Sequence, residues 1–125
     1  MPDATFIRSD FTTMQRASRS VDAVTAFYAF VHVPRAEQRR VLDRIADWLR
    51  PGGVLLAQFG SGDTPDEVED GWLGVPMFLA GFPPEENEDM LLRAGFQLEL
   101  SEVREEEEDP GEVVRFHHVA ARRPA

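Results

Sequence analysis

Apolar residues recur with two different spacings between Val21 and Phe59, and they predict a strand, a helix and a second strand. Residues 21–27 form a short, mostly apolar run. Residues 35–49 carry apolar side chains three and four positions apart, which is the spacing of one face of an amphipathic helix. Residues 54–59 are apolar almost throughout, which is typical of a strand buried on both faces. Together these segments predict a βαβ unit, and therefore a parallel sheet with helices on its faces.

The predicted helix has distinct ends and two chemically different faces. Pro34 suits its first turn, where a missing N–H leaves no hydrogen bond unmade. Pro51 disfavours helix at the residue before it, and Gly52 and Gly53 allow the turn that follows. The apolar face consists of Val41, Leu42, Ile45, Trp48 and Leu49. The other face carries Arg39, Arg40, Asp43, Arg44 and Asp47, for which we expect exposure to solvent.

The segments on either side of the first strand are less regular. Thr5–Arg8 can form a short strand, Ser9–Thr12 leaves it as a loop, and residues 15–20 form one helical turn or none. Residues 27–33 are more apolar and aromatic than a solvated loop. Ligands of open parallel sheets lie outside the carboxyl ends of the strands. Residues 27–33 are therefore either a pocket wall or side chains that pack under the helix.

Two loops of opposite character are predicted after Phe59. Gly60–Asp63 contains a G-x-G, but no third glycine and no helix follow, so it fails as a dinucleotide-binding fingerprint and predicts a flexible loop. Residues 64–70 are acidic and are expected to be exposed. Residues 71–79 mix glycine and proline with large apolar side chains, which predicts an ordered loop. This loop is either a lid or pocket wall, or a segment that only caps the core.

The rest of the chain predicts a second helix and an antiparallel hairpin. Pro83–Glu86 begins the helix with acids in its first turn, and Gly95 ends it. Met90, Leu91 and Ala94 are expected to face inward. Residues 96–101 alternate apolar with polar side chains, as a half-exposed strand does.

The return strand of this hairpin is predicted over residues 113–121. Glu105–Asp109 is a run of five acids followed by Pro110 and Gly111, which indicates a turn at a solvated hairpin tip. The acids lack the spacing of a calcium-binding loop. His117 and His118 point to opposite faces of a regular strand, so they cannot both bind one metal ion.

Length and composition narrow the classes of protein. The 125 residues fit one domain, with no cysteine, no apolar stretch of membrane-spanning length and no secretory signal, so a cytoplasmic location is expected. Residues 1–50 carry a net charge of +2 and residues 51–125 one of −12. A basic surface for nucleic acid is absent from this pattern, and the acidic part would repel phosphate.

Several short motifs, in order along residues 4–123, resemble the C-terminal part of class I S-adenosylmethionine-dependent methyltransferases. They are Ser20-Val21-Asp22-Ala23-Val24, His32-Val33-Pro34, Trp48-Leu49-Arg50-Pro51-Gly52-Gly53, Leu92-Arg93-Ala94-Gly95-Phe96 and a loop, residues 72–78, like that of a bacterial subgroup of small-molecule enzymes. Each motif alone is weakly specific, but five in the family's order are a strong signal. The resemblance implies an α/β fold: an incomplete Rossmann-like methyltransferase sheet of parallel strands with helical crossovers and a C-terminal antiparallel hairpin.

The resemblance also implies a cofactor, S-adenosylmethionine, and positions for its contacts. Asp10 and Phe11 match the pair that faces the adenine, with the acid accepting from its amino group. Ala26, Phe27 and Tyr28 match the lining of the methyl-transfer pocket. The implied substrate pocket contains His32, Trp72, Met77 and Phe78, with His32 either a base or only the start of the helix. No catalytic side chain or metal ligand is assigned.

In this alignment the family's first two strands and its Gly-rich cofactor turn have no counterpart, so residues 1–125 are expected to form a single truncated domain. The family's strand order is 3-2-1-4-5-7-6, so the fourth strand, at residues 21–27, would have an open edge. Exposing four or five large apolar side chains would cost about 10 kcal/mol. We expect Thr5–Arg8 to move beside the open edge, or a homodimer or partner chain to cover it. Two functions remain open: methyl transfer to a small-molecule acceptor, and a non-catalytic interaction or assembly module.

Overall fold

The computed structural model describes residues 3–72 and 75–125. The strands are β1 (Val21–Ala26), β2 (Leu49–Gly60), β3 (Thr64–Trp72), β4 (Val75–Gly81), β5 (Gln97–Asp109) and β6 (Glu112–Arg122). The helices are α1 (Arg35–Trp48) and α2 (Pro84–Arg93), and a 3-10 turn spans Phe30–His32. The predicted βαβ unit, second helix and C-terminal hairpin are confirmed.

Four strands form one sheet in the order β1-β2-β6-β5. β1 and β2 are parallel, with Val24 opposite Leu55, whereas β6 is antiparallel to both of its neighbours. This order is the 4-5-7-6 part of the family's sheet. The α/β fold implied by the resemblance is therefore confirmed.

One face of this sheet is covered by the two helices. Alternate residues of β2 point to opposite faces, and Leu55, Ala57 and Phe59 are buried against the helices. Leu56, on the other face, is 38% exposed, as is Leu100 of β5. The prediction that β2 is buried on both faces is therefore wrong for Leu56, because no helix of the described residues covers that side.

A second, two-stranded sheet replaces the loop that was predicted for residues 71–79. β3 and β4 pair antiparallel, with Val68 opposite Phe78 and Glu69 opposite Met77. Pro76 is compatible with this ribbon because each strand has a single neighbour among the described residues, so a residue without an N–H can face outward. The acidic residues of β3 were expected to be exposed, and residues 65–69 are exposed, on a strand whose backbone is paired with β4.

The prediction of a strand at Thr5–Arg8 is also wrong. Residues 4–10 form no strand, and the side chain of Phe6 is 86% exposed. An isolated strand has no neighbour to satisfy its backbone, and this segment does not pair with β1. The expectation that it fills the open edge of the sheet is therefore not met.

Residues 10–20 lie along α1; the Met14 N–H donates to the Asp10 carbonyl at 2.8 Å in a single turn, and residues 15–20 form no helix. The Arg44 guanidinium donates to the carbonyl of Thr12. Ser18 Oγ donates to the Asp47 carboxylate at 2.8 Å, and the Arg19 N–H donates to the Asp47 carbonyl at 2.9 Å. Arg44 and Asp47 were predicted to be exposed; Asp47 is exposed and Arg44 is half-buried, and both also hold this segment to the helix.

The Pro-Gly-Gly sequence before the apolar part of β2 has a steric origin. Gly52 has a φ of +83°, which is readily adopted only by glycine. A Cβ on Gly53 would lie 2.8 Å from the carbonyl oxygen of Arg50 and 2.9 Å from that of Asp22 in β1. The first glycine therefore permits the turn, and the second permits the close approach of β1 to β2.

Candidate active site

The carboxyl ends of β1 and β2 open onto a cavity of about 700 Å³. Its walls come from the turn after β1, the loop after β2, the β3–β4 ribbon and the first residues of β6. Tyr28, Val31, His32, Gly60, Glu67, Met77, Leu79 and Phe116 are among the lining residues. The cavity lies where open α/β sheets bind their ligands.

Tyr28 is held in an unusual backbone conformation at this opening. Its φ is +55°, a left-handed value that costs about 1–2 kcal/mol in a residue with a Cβ. Its N–H donates to Gln58 Oε1 at 2.8 Å, and its hydroxyl donates to Glu106 Oε2 at 2.8 Å. Its ring meets the Phe116 ring edge-on, with 5.6 Å between centroids. Hydrogen bonds and ring packing therefore offset the strain.

Glu106 was predicted to belong to a solvated acidic run, but it contacts Tyr28, which lines the cavity. Its side chain is 30% exposed, whereas that of neighbouring Glu105 is 60% exposed. Gln58 Nε2 donates to Glu106 Oε1 at 3.4 Å, and His118 Nε2 lies 3.5 Å from the same oxygen. Nothing in five consecutive acids distinguishes Glu106, although strand alternation places it on the sheet face that carries His118.

His32 has one nitrogen held by the β3–β4 ribbon. Its Nδ1 lies 2.9 Å from the carbonyl oxygen of Phe78. A carbonyl only accepts, so Nδ1 carries the proton and Nε2 is the accepting nitrogen of the neutral ring. His32 lines the cavity together with Met77, whereas Phe78 contributes its carbonyl and does not line it. The side chain of Trp72 lies outside the described residues.

Asp10 and Phe11 lie beside the turn after β1. The Phe11 ring meets Phe30 edge-on at 5.6 Å between centroids, and Phe30 follows Tyr28 by two residues. Asp10 Oδ1 accepts from the N–H and hydroxyl of Thr12 at 2.8 and 2.7 Å. These hydrogen bonds lower the pKa of Asp10 below its usual value, and the one from the Thr12 hydroxyl has the larger effect. Asp10 is therefore an ionised acceptor.

The other residues implied by the resemblance lie at the end of β1. Ala26 is buried and pairs with Ala57, whereas Phe27 is 52% exposed. The cavity lining includes neither of them, nor Asp10 or Phe11. The structure thus brings Tyr28, His32 and Met77 together at the cavity. The remaining cofactor candidates lie outside it, around the exit from β1.

The charged lining of the cavity is predominantly acidic. Glu67 and Glu69 of β3 and Glu112 of β6 contribute carboxylates. Arg115, also in the lining, is paired with Glu105 at 2.8 Å. Glu67 and Glu69 pair across the ribbon with Leu79 and Met77, so carboxylates and apolar side chains share one face. This lining favours neutral or cationic groups over anions.

A buried polar cluster, Asn87, Ser101 and His117, supports the end of β2. Asn87 Nδ2 donates to the Gly60 carbonyl at 3.0 Å and to His117 Nδ1 at 3.1 Å. His117 Nε2 lies 2.7 Å from Ser101 Oγ. Burial lowers the pKa of His117, partly offset by the charge of Glu88. The sequence analysis assigned no role to this cluster, although it holds the strand end beside the cavity.

Residues 3–72 and 75–125 contain neither a metal-binding cluster nor a membrane-spanning helix. No group of three or more His, Cys, Asp or Glu side chains there could hold a metal ion. In the same part of the chain, no helix has the length and apolar character needed to cross a membrane.

Comparison with known proteins identifies the fold. A family model described as a methyltransferase domain matches residues 1–53. An S-adenosylmethionine-dependent methyltransferase from Methanosarcina mazei has a TM-score of 0.78 at 14% identity, over 93% of this chain and 65% of that one. The class I methyltransferase resemblance is confirmed by this match and this fold. No curated protein sequence matches the chain.

Two further solved structures show what this fold accommodates. The 1,6-didemethyltoxoflavin-N1-methyltransferase of Burkholderia thailandensis, solved with that compound and S-adenosylhomocysteine, has a TM-score of 0.69 at 17% identity, over 96% of this chain and 51% of that one. The (4+2)-cyclase SpnF has a TM-score of 0.64 at 17% identity, over 94% of this chain and 54% of that one. The chain therefore spans about half to two thirds of the length of these structures.

Proposed function

We propose that this chain carries the acceptor side of an S-adenosylmethionine-dependent methyl transfer to a small molecule. The observation that carries the proposal is the 700 Å³ cavity at the carboxyl ends of β1 and β2, in a fold that methyltransferases share. Its volume suits a small molecule. Methyl transfer depends mainly on positioning the acceptor, so a lined cavity without a nucleophilic side chain is compatible with it.

The residues around the exit from β1 fit one side of the cofactor. The ionised carboxylate of Asp10 can accept from an exocyclic amino group, and Phe11 offers an apolar ring beside it. Ala26, Phe27 and Tyr28 continue this surface toward the cavity. When bound, S-adenosylmethionine supplies a methyl group on a positively charged sulfur.

The cavity itself favours a neutral or cationic acceptor. Glu67, Glu69 and Glu112 would repel an anionic compound, whereas Met77 and Tyr28 offer apolar contacts. His32 Nε2, the accepting nitrogen, can take a proton from an acceptor as its heteroatom gains the methyl group. Trp72 and Phe78 remain pocket candidates from the resemblance, with Phe78 acting here through its carbonyl.

A second function, a non-catalytic interaction module, is favoured by a different observation. Within residues 3–72 and 75–125, β1 has β2 as its single neighbour, so its other edge can pair with another chain. SpnF, described as a cyclase, also shares the fold, so the fold alone does not specify methyl transfer. A homodimer or partner chain at this edge, a single truncated domain, a cytoplasmic location and a bacterial origin remain predictions.

Calorimetric titration of the chain with S-adenosylhomocysteine at millimolar concentration separates the two functions. If the chain supports methyl transfer, the titration should release or absorb heat on binding. The affinity should then fall about tenfold in Asp10→Asn, because a hydrogen bond to an ionised carboxylate is lost. Asp43→Asn is the matched control, since Asp43 pairs with Arg39 on the outer face of α1. Absence of heat in the parent chain would refute cofactor binding by this chain and favour the interaction module. Sedimentation velocity across a range of concentrations then tests for self-association.

A further inference from the structure

Glu106 closes a ring of hydrogen bonds around Tyr28. The Tyr28 N–H donates to Gln58 Oε1 at 2.8 Å. The same Gln58 amide donates through Nε2 to Glu106 Oε1 at 3.4 Å, and Glu106 Oε2 accepts from the Tyr28 hydroxyl at 2.8 Å. The Glu106 carboxylate therefore holds the Tyr28 hydroxyl directly and the Tyr28 backbone N–H through Gln58.

The conformation of Tyr28 depends on such contacts. It lies two residues after the end of β1, and its left-handed φ of +55° takes it out of the strand geometry that aligns ladder hydrogen bonds. Gln58, whose side-chain oxygen accepts from the Tyr28 N–H, is buried and lies in β2. The Tyr28 ring, which lines the cavity, packs edge-on against Phe116. Contacts from three other strands thus determine where this cavity wall lies.

Glu106 differs from its neighbours in the acidic run by what it reaches. The Glu105 carboxylate pairs with Arg115 across the hairpin at 2.8 Å. Glu107 Oε1 accepts from the Gly111 N–H at the hairpin turn at 3.1 Å. Both contacts stay within β5, β6 and their turn. Glu106 instead contacts Tyr28, which lies 78 positions earlier in the sequence.

We propose that Glu106 is a positioning residue, which acts on the ligand site through Tyr28. The inference rests on the proposed function, in which Tyr28 lies between cofactor and acceptor. Loss of the carboxylate leaves the Tyr28 hydroxyl and the Gln58 amide without this acceptor. The ring then samples other rotamers, and the cavity loses a fixed wall. The hairpin thereby fixes the part of the cavity wall that comes from the turn after β1.

The chain contains one tyrosine, so its ring can be observed directly. The test compares Glu106→Leu, Glu106→Gln and the matched control Glu107→Leu in the full chain by ring-proton NMR of ¹³C-labelled tyrosine. Glu106→Leu is expected to shift and average the ring signals toward those of a freely rotating tyrosine. Glu106→Gln keeps an accepting oxygen and should restore most of the parent spectrum. Glu107→Leu should leave the ring signals unchanged.

Affinity for S-adenosylhomocysteine supplies the second readout. Glu106→Leu should weaken it about tenfold, because Tyr28 would hold the binding conformation only part of the time, with Glu106→Gln intermediate. Unchanged tyrosine signals in Glu106→Leu would overturn the proposal, as would an equal change in Glu107→Leu. The ring spectra are recorded without ligand, so they decide the role of Glu106 even if the parent binds no cofactor. A fixed ring without binding would refute the proposed function alone.

Discussion

The side-chain amide of Asn87 donates to Nδ1 of His117 at 3.1 Å, and this contact determines the tautomer of His117. The same nitrogen also lies 3.0 and 3.2 Å from the carbonyl oxygens of Gly60 and Phe82, so its two hydrogens are shared among three acceptors, and reversing the amide would face oxygen with oxygen. His117 Nδ1 is therefore the acceptor, and Nε2–H donates to Ser101 Oγ. The cluster connects α2, β5 and β6 to the end of β2.

The stability of the fold should decrease in mild acid because of His117. Burial lowers its folded-state pKa, so the unfolded chain, with an ordinary value near 6.5, takes up the proton first as the pH falls. The stabilisation is therefore fully present above pH of about 6.5 and is lost as the pH falls toward the lower folded-state pKa. Urea unfolding at pH 8, 6.5 and 5.5 measures the trend. His117→Gln should flatten it, whereas His118→Gln should retain it; equal pH dependence in the parent and His117→Gln would contradict the assignment.

Two histidines should show opposite neutral tautomers. His32 carries its proton on Nδ1, because that nitrogen faces the Phe78 carbonyl, whereas His117 carries it on Nε2, because its Nδ1 faces the Asn87 amide. Nitrogen-15 NMR at pH 9, where imidazoles are neutral, distinguishes the two forms. His32→Gln and His117→Gln provide the assignments. Identical tautomers at the two positions would refute one of these hydrogen-bond arrangements.

A single methyl group at Gly53 should destabilise the fold. Its Cβ would lie under 3.0 Å from two backbone carbonyl oxygens, which cannot rotate away as a flexible side chain would. We expect Gly53→Ala to lower the free energy of unfolding by about 1–3 kcal/mol, the range for overpacking. Gly62→Ala is the control, because its Cβ would meet only Thr64 Oγ1, at 3.9 Å. Equal stability of the two variants would show that β1 and β2 separate easily at this point.

Neighbouring leucines in β2 should differ sharply in their contribution. Leu55 is fully buried under the helices, whereas Leu56 faces the uncovered side and is 38% exposed. Leu55→Ala should lower the free energy of unfolding by about 2–5 kcal/mol. Leu56→Ala should cost about 1 kcal/mol or less in the monomer. A large effect of Leu56→Ala that grows with protein concentration would instead show that another chain covers this face.

The parts of the fold that the sequence predicted are those with strong periodicity. The apolar stripe of α1 and the run in β2 are dictated by local pattern, and the residues around Gly52 and Gly53 have a local steric cause. The ribbon of β3 and β4 lacks such a signal. The acidic residues of β3 pair with β4, which contains glycine and proline. Each segment is extended because it pairs with the other, and neither has a local pattern that predicts a strand.

The candidate site divides in the same way. The motif resemblance indicated Tyr28, His32 and Met77, and the structure places all three at the cavity. The resemblance did not indicate Glu106 or Gln58, because their contacts join residues that are far apart in the sequence. A carboxylate in a run of acids shows no local sign of a buried partner. Such partners emerge only once β5 and β6 have been placed beside β2.

The position of β6 has a consequence for how the protein is made. β6 lies between β2 and β5 in the sheet, yet it follows both along the chain. During synthesis β2 therefore keeps one edge unpaired until residues 112–122 have left the ribosome. An unpaired apolar strand is the kind of surface that associates with other chains. Chaperone binding during translation should therefore be strongest on nascent chains that end before β6, because completing the sheet depends on β6, which emerges after β2 and β5.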